Sequence, residues 1–138
     1  MFAVATVGPA DAEVLQLLDR MPAISRAILF SGDRWSPVEV VAVLRANKLA
    51  VGLASLAPVD EMGGDQPTII GLWIDPANRG AGAAKLLLQQ ASHESLERYG
   101  RPPHVTAITP AGLRALVGAR ASGVAIEVVS AVTGMELP

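Results

Sequence analysis

The sequence predicts a mixed α/β fold: a central, mostly antiparallel sheet with helices on both faces and one parallel strand pair. Two observations carry this. Three strand-like segments follow one another between Val38 and Ile74, which rules out simple alternation of strands and helices. A strand–helix–strand crossover from Thr68 to Ile108 must then contain a parallel pair if both strands share a sheet. The 138 residues suffice for one domain, residues 1–138, and no repeat, low-complexity tract or linker divides them.

Phe2 to Val7 is a short apolar, β-branched run closed by Gly8-Pro9, and reads as a strand. A helix follows in ADAEVLQLLDRM, where Val14, Leu17, Leu18 and Met21 share one face and Pro22 ends the run. Pro9 and Asp11 suit its first turn, because a proline there loses no needed donor and an acid meets the positive helix end. Ile24 to Phe30 fits a second, short helix, and Ser31 to Pro37 a loop. Val38 to Leu44 and Leu49 to Leu56 form a hairpin about Ala46-Asn47-Lys48. Pro58 to Pro67 is a polar loop, and Thr68 to Ile74 a buried strand stopped by Asp75-Pro76, since proline cannot donate to a ladder. Gly82 to about Arg98 is a helix with Ala84, Leu87, Leu88 and Ala91 on its inner face, ended by Gly100 and Pro102-Pro103. His104 to Ile108 is a strand, Gly112 to Ala121 a short helix, and Val124 to Ser130 a last strand. The apolar faces of Leu15 to Met21 and Leu86 to Ala91 belong to the core.

Composition excludes several functions. Hydrophobic residues make up 51% and charged residues 17%, which excludes intrinsic disorder. A net charge of -2 argues against nucleic acid as a partner, because neutralising many phosphates needs a basic excess. Cysteine is absent, so disulfides and thiolate chemistry are excluded, and two histidines cannot build a His-rich metal site. No metal is expected. No stretch reads as a membrane span, and the N-terminus has no basic n-region, so the expected location is the cytoplasm. A mean hydropathy of +0.39 points to a buried oligomer surface, although abundant Ala and Val also raise it.

Chemistry concentrates in LWIDPANRGAGAAKLLLQQA, Leu72 to Ala91. An apolar strand runs through a tight turn and a Gly/Ala-rich loop into a helix. Gly80 and Gly82 let backbone approach a ligand, Ala81, Ala83 and Ala84 keep the surroundings small, and the helix start offers amides and a positive dipole end. These features make the segment a candidate phosphate or pyrophosphate site, with Arg79 and Lys85 as added cations. Three loop patterns compete. A dinucleotide fingerprint would need glycine where Lys85 stands, and a Walker loop would need Lys-Ser/Thr after its last glycine. The third pattern, Q/R-x-x-G-x-G/A, fits Arg79-Gly80-Ala81-Gly82-Ala83-Ala84.

That third pattern is the acyl-CoA pyrophosphate loop of the GNAT N-acetyltransferase superfamily, which this sequence resembles over roughly residues 1 to 123. Ile74-Asp75-Pro76 resembles the family's V-x-P step, Val38 to Leu56 with Gly52 its hairpin, and GPADAEVLQLLDR its first helix. The resemblance implies a splayed parallel pair, Thr68 to Ile74 and His104 to Ile108, with the pantetheine arm of acetyl-CoA between the strands. Backbone of Leu72, Trp73 and Ile74 would pair with the pantetheine, and one of their amides would stabilise charge on the thioester carbonyl. Amides from Gly80 to Lys85 would hold the pyrophosphate, and Thr109 stands near a common CoA-contacting position. A small-molecule or peptide amine would attack directly, which suits a chain without Cys.

The departures concern acid–base groups. The family's base, a Glu early in the fourth strand, falls at about Thr68. Its Tyr acid has no counterpart between Gly112 and Gly123, and Tyr99 ends another helix. Base candidates are therefore the loop carboxylates Glu61 and Asp65, which with Asp60 also read simply as a solvated loop. The alternative is an acyl-CoA-binding or regulatory domain of the same fold without turnover. His93 and His104 read as structural, the Trp73 side chain as core or interface, and Trp35 as pocket wall or packing. The short terminal hairpin and exposed last strand lead to a homodimer.

Overall fold

A computed structural model describes residues 1–22, 38–59, 64–80, 82–107 and 109–131. The expected helix at Ile24 to Phe30, Trp35, Asp60, Glu61, Ala81 and the chain end beyond Ala131 lie outside the described residues. In chain order the elements are β1 (Phe2–Val7), α1 (Ala12–Arg20), β2 (Val40–Ala46), β3 (Leu49–Ala57), β4 (Thr68–Ile74), a 3-10 turn (Pro76–Asn78), α2 (Ala83–Tyr99), β5 (His104–Ala107), α3 (Pro110–Ala121) and β6 (Glu127–Ser130). The strands form one sheet in the order β1-β2-β3-β4-β5-β6. β1 to β4 are antiparallel neighbours, while β5 pairs parallel with both β4 and β6. The second parallel pairing goes beyond the single pair expected, and it arises because α3, like α2, is a crossover helix.

Helices cover both faces. Val14, Leu17 and Met21 of α1 pack on Val41, Val43, Leu53 and Trp73. Leu87, Leu88 and Ala91 of α2, with Leu113 and Leu116 of α3, pack on Val40, Ala42, Leu44, Ala54, Leu56 and Ile69. β2 and β3 therefore face apolar layers on both sides, which is why they read as continuous rather than alternating apolar runs. Leu15 departs from the expected core face and is 52% exposed, since only the Val14–Leu17–Met21 stripe meets the sheet.

Local signals set the element ends. Asp11 caps α1 by accepting from Glu13 N at 2.9 Å. Glu13 in turn makes a bidentate pair with Arg45 of β2, and that guanidinium holds its carboxyl below the usual range. The hairpin turn puts Asn47 and Lys48 at φ 51 and 72, as a two-residue loop matched to strand twist requires. Gly100, at φ 71, closes α2. His104 meets Glu127 at 2.6 Å where β5 and β6 begin, and His93 is exposed on α2. No helix among the described residues is long and apolar enough to cross a membrane.

Candidate functional site

β4 and β5 stay paired for only two residues, Thr68 with His104 and Ile69 with Val105. The cause lies on the other side of β4. Its register against β3 steps from Leu56–Ile69 to Ser55–Gly71, leaving Ile70 as an extra residue. Such a bulge bends the strand that carries it and increases its twist. β4 therefore leaves β5 at Ile70, while β5 continues beside β6 to Ala107. A cavity of about 270 Å³ opens between the diverging strands. Ile70, Leu72 and Trp73 form one wall, Thr106 and Ala107 the other, with Leu88 of α2 and Leu116 of α3 on one face and Met21 at the end of α1 on the opposite face.

The orientation of the β4 backbone follows from its contacts. Asp75 N donates to Val51 O at 2.7 Å, and a Cβ on Gly52 would lie 3.0 Å from the Trp73 carbonyl oxygen. Residues 73 and 75 thus turn their peptide groups to β3. Alternation along a strand turns those of Leu72 and Ile74 to the cleft. Of the three residues expected to meet a ligand through backbone, Trp73 consequently faces away, and its side chain is buried at 8% exposure against α1. The Ile74 carbonyl accepts from Arg79 Nε at 2.8 Å, which holds the guanidinium at the end of the freed strand edge.

Beyond Ile74 the chain makes its tight turn. Asp75 caps the 3-10 turn, its Oδ1 accepting from Ala77 N at 3.2 Å, while its other oxygen meets Arg20 from the end of α1. Arg20 also donates to Ala50 O at 2.8 Å, so one side chain ties α1, β3 and the turn together. Gly80 and Gly82 sit at φ +85 and +80, and among the described residues no heavy atom lies within 4 Å of a Cβ added at either. Gly82 starts α2 and provides no side-chain cap. The dipole gives this uncapped helix start roughly half a positive charge.

The remaining expected residues fall as follows. Ala83 is fully buried and its amide donates to Gly80 O at 3.1 Å. Ala84 lines the cavity, and Lys85 is exposed on the first turn of α2. Thr109 lines the cavity too, and its Oγ1 accepts from Gly112 N at 3.0 Å as the α3 cap. Asp65 is exposed three residues before β4, where its carbonyl accepts from Arg101 at 3.3 Å, and does not line the cavity. Thr68, at the position of the family base, is buried with Oγ1 donating to Gln66 O at 2.9 Å. Among the described residues the cavity wall carries no carboxylate or imidazole.

Sequence reasoning did not find Met21, Ile70, Thr106 or the Arg20–Asp75 tie. Gly71, a glycine inside an otherwise bulky strand, was the available signal for the bulge.

Comparison with known proteins places this geometry. No protein of curated function matches the sequence. Among solved structures, a GCN5-related N-acetyltransferase from Ralstonia eutropha JMP134 is 19% identical, with 100% of this chain and 98% of that one covered, at a TM-score of 0.61. A Klebsiella pneumoniae protein ascribed to the acyl-CoA N-acyltransferases is 23% identical at a TM-score of 0.53 over 71% of this chain. This chain spans 66% of that protein, just under two thirds of its length. A Clostridium acetobutylicum protein classed as an acetyltransferase, solved with acetyl-CoA, is 18% identical over 81% of this chain and 84% of its own, at a TM-score of 0.50. At these identities the likeness establishes the fold. The model of the acetyltransferase (GNAT) family matches residues 16–116, well over half of the sequence, and the chain belongs to that family.

Proposed function

We propose that the chain is an acetyl-CoA-dependent N-acetyltransferase that moves an acetyl group to a primary amine by direct attack. The observation that carries this is the strand edge freed at Ile70, which runs along an apolar cleft to an uncapped helix start beside Arg79. Acetyl-CoA suits that sequence of environments: an extended amide-bearing arm for the strand edge and a diphosphate for the helix start. It supplies the activated thioester. The Leu72 peptide group offers its N–H and C=O to the arm as a neighbouring strand would. An amide here, fixed before reaction and shielded from water, stabilises charge developing on the thioester oxygen. The Arg79 guanidinium and the amides from Gly80 to Lys85, apart from the Ala83 amide already bonded to Gly80 O, hold the diphosphate.

The acceptor is a small-molecule or peptide amine. We assign proton removal to the acidic loop, with Asp65 or Glu61 as the base, and the alternative is an amine that arrives neutral. We also infer a homodimer, supported by the exposed Val129 on β6, which ends the sheet among the described residues. A second reading, an acyl-CoA-binding domain without turnover, is favoured by the lack of a carboxylate or imidazole on the described cavity wall. Native mass spectrometry with acetyl-CoA, followed by a panel of polyamines, aminoglycosides, amino acids and peptide N-termini, separates the readings. Retained cofactor and an acetylated amine support the transferase. Retained cofactor with no product supports the binding domain, and no retained cofactor removes both.

A further inference from the structure

β3 is apolar from Leu49 to Ala57 except at Ser55, apart from its glycine. Ser55 is fully buried, and its Oγ has no hydrogen-bond partner among the described residues. Other buried hydroxyls are satisfied: Ser92 Oγ donates to Ala125 O at 2.7 Å, Ser95 Oγ to Arg101 O at 2.6 Å, and Thr68 Oγ1 to Gln66 O at 2.9 Å. An orphaned buried hydroxyl costs stability and calls for a partner from outside the chain, a bound water or a ligand.

The position of Ser55 is specific. Its partner on β2 is Val41, which belongs to the core on the α1 side, so Ser55 points to that face. Its partner on β4 is Gly71, at the bulge. Gly71 lines the cavity; Ser55 lies one strand behind it, outside the lining, and Gly71 brings no side chain of its own between them. α2 and α3 fill the opposite face, while α1 packs on the Ser55 face and borders the cavity at its end through Met21, which is where an amine would enter. The sheet residues that pack with α1 on that side, Val41, Val43, Leu53 and Trp73, are all apolar.

We propose that Ser55 is an acceptor-binding residue, its Oγ taking a hydrogen bond from the N–H of the attacking amine. The inference deepens the acetyltransferase reading and rests on it. In the transfer the amine nitrogen bonds to the acyl carbon, the carbon–sulfur bond breaks, and the proton that the nitrogen sheds, taken up by the loop carboxylate where it serves as base, ends on the departing thiolate. Ser55 keeps its own proton throughout.

The test compares the parent with Ser55→Ala by thermal melting, calorimetry with CoA, and initial rates on the best amine of the panel above. The expected result is an unchanged or raised melting temperature, an unchanged CoA dissociation constant, and at least a tenfold loss in kcat/KM for the amine. Ser55→Cys, close in volume with a weaker acceptor atom, should fall between the two. Equal rates in parent and Ser55→Ala overturn the proposal, as does a rate loss that tracks a lowered melting temperature, which marks a purely structural serine. A parent that binds CoA but acetylates no amine overturns it too. Absence of CoA binding in the parent is the separate failure of the acetyltransferase reading itself.

Discussion

Gly82→Asp would place a negative charge where the proposed diphosphate lies, and its effects on folding and binding can be estimated apart. Gly82 holds φ 80 and ψ 9, so a side chain there enters the left-handed region at a cost of about 1–2 kcal/mol. No clash with the described residues adds to this, since none of them lies within 4 Å of the new Cβ. A carboxylate at the start of α2 recovers about 0.3–1 kcal/mol from the helix dipole. The net loss, about 1 kcal/mol, lowers the melting temperature by roughly 3–5 °C, and the protein stays folded. Binding suffers more. Two unit charges about 4 Å apart repel by about 1 kcal/mol in a water-like medium and about 4 kcal/mol at an effective dielectric of 20. A diphosphate carries more than one charge, so even the weaker limit approaches the 1.4 kcal/mol that makes a factor of about ten. CoA affinity measured by calorimetry should therefore fall at least tenfold. Gly82→Asn shares the shape and the backbone strain without the charge, and should lose less. The gap between the two variants should narrow with added salt. A folded Gly82→Asp protein with the parent's dissociation constant would refute the assignment of the diphosphate to this helix start.

Gly52→Ala would bring a methyl to 3.0 Å from the Trp73 carbonyl and 3.2 Å from Ile74 Cγ1. Thermal melting should show a loss of about 1–3 kcal/mol, and an unchanged melting temperature would contradict the close β3–β4 approach. Changing Asp60, Glu61 and Asp65 together to amides should cut acetyl transfer by about 10²-fold or more without altering CoA affinity. A parent rate would show that the amine arrives neutral. Light scattering at high micromolar concentration should give twice the 14.3 kDa chain mass, and a value near one chain mass would remove the dimer.

Much of the fold was legible because its signals are local. Asp75-Pro76 marks the end of β4, Asn47-Lys48 marks the hairpin turn, and Gly100 marks the end of α2. The loop from Arg79 to Lys85 was legible for the same reason, since two glycines and a helix pattern lie side by side. Other boundaries moved where a competing contact decided them. α3 begins at Pro110 rather than Gly112, because Thr109 caps it and proline suits a first turn. β6 begins only at Glu127, since Val124 N bonds back to Ala119 O in the turn after α3. The cleft itself was the least legible part. It depends on one unpaired residue, Ile70, and on the strand register on either side of it. Register is a non-local property that no short window of sequence contains. The burial of Ser55 is hidden in the same way, because a serine in an apolar strand looks the same whether or not its hydroxyl finds a partner.

The central claim is that the cleft opened at Ile70 and the helix start at Gly82 together form one acyl-CoA site. Calorimetric titration of the purified protein with CoA tests this most directly. The account predicts saturable binding to one site per chain, with a negative heat-capacity change from the arm entering the apolar cleft. No heat of binding at millimolar CoA would contradict it.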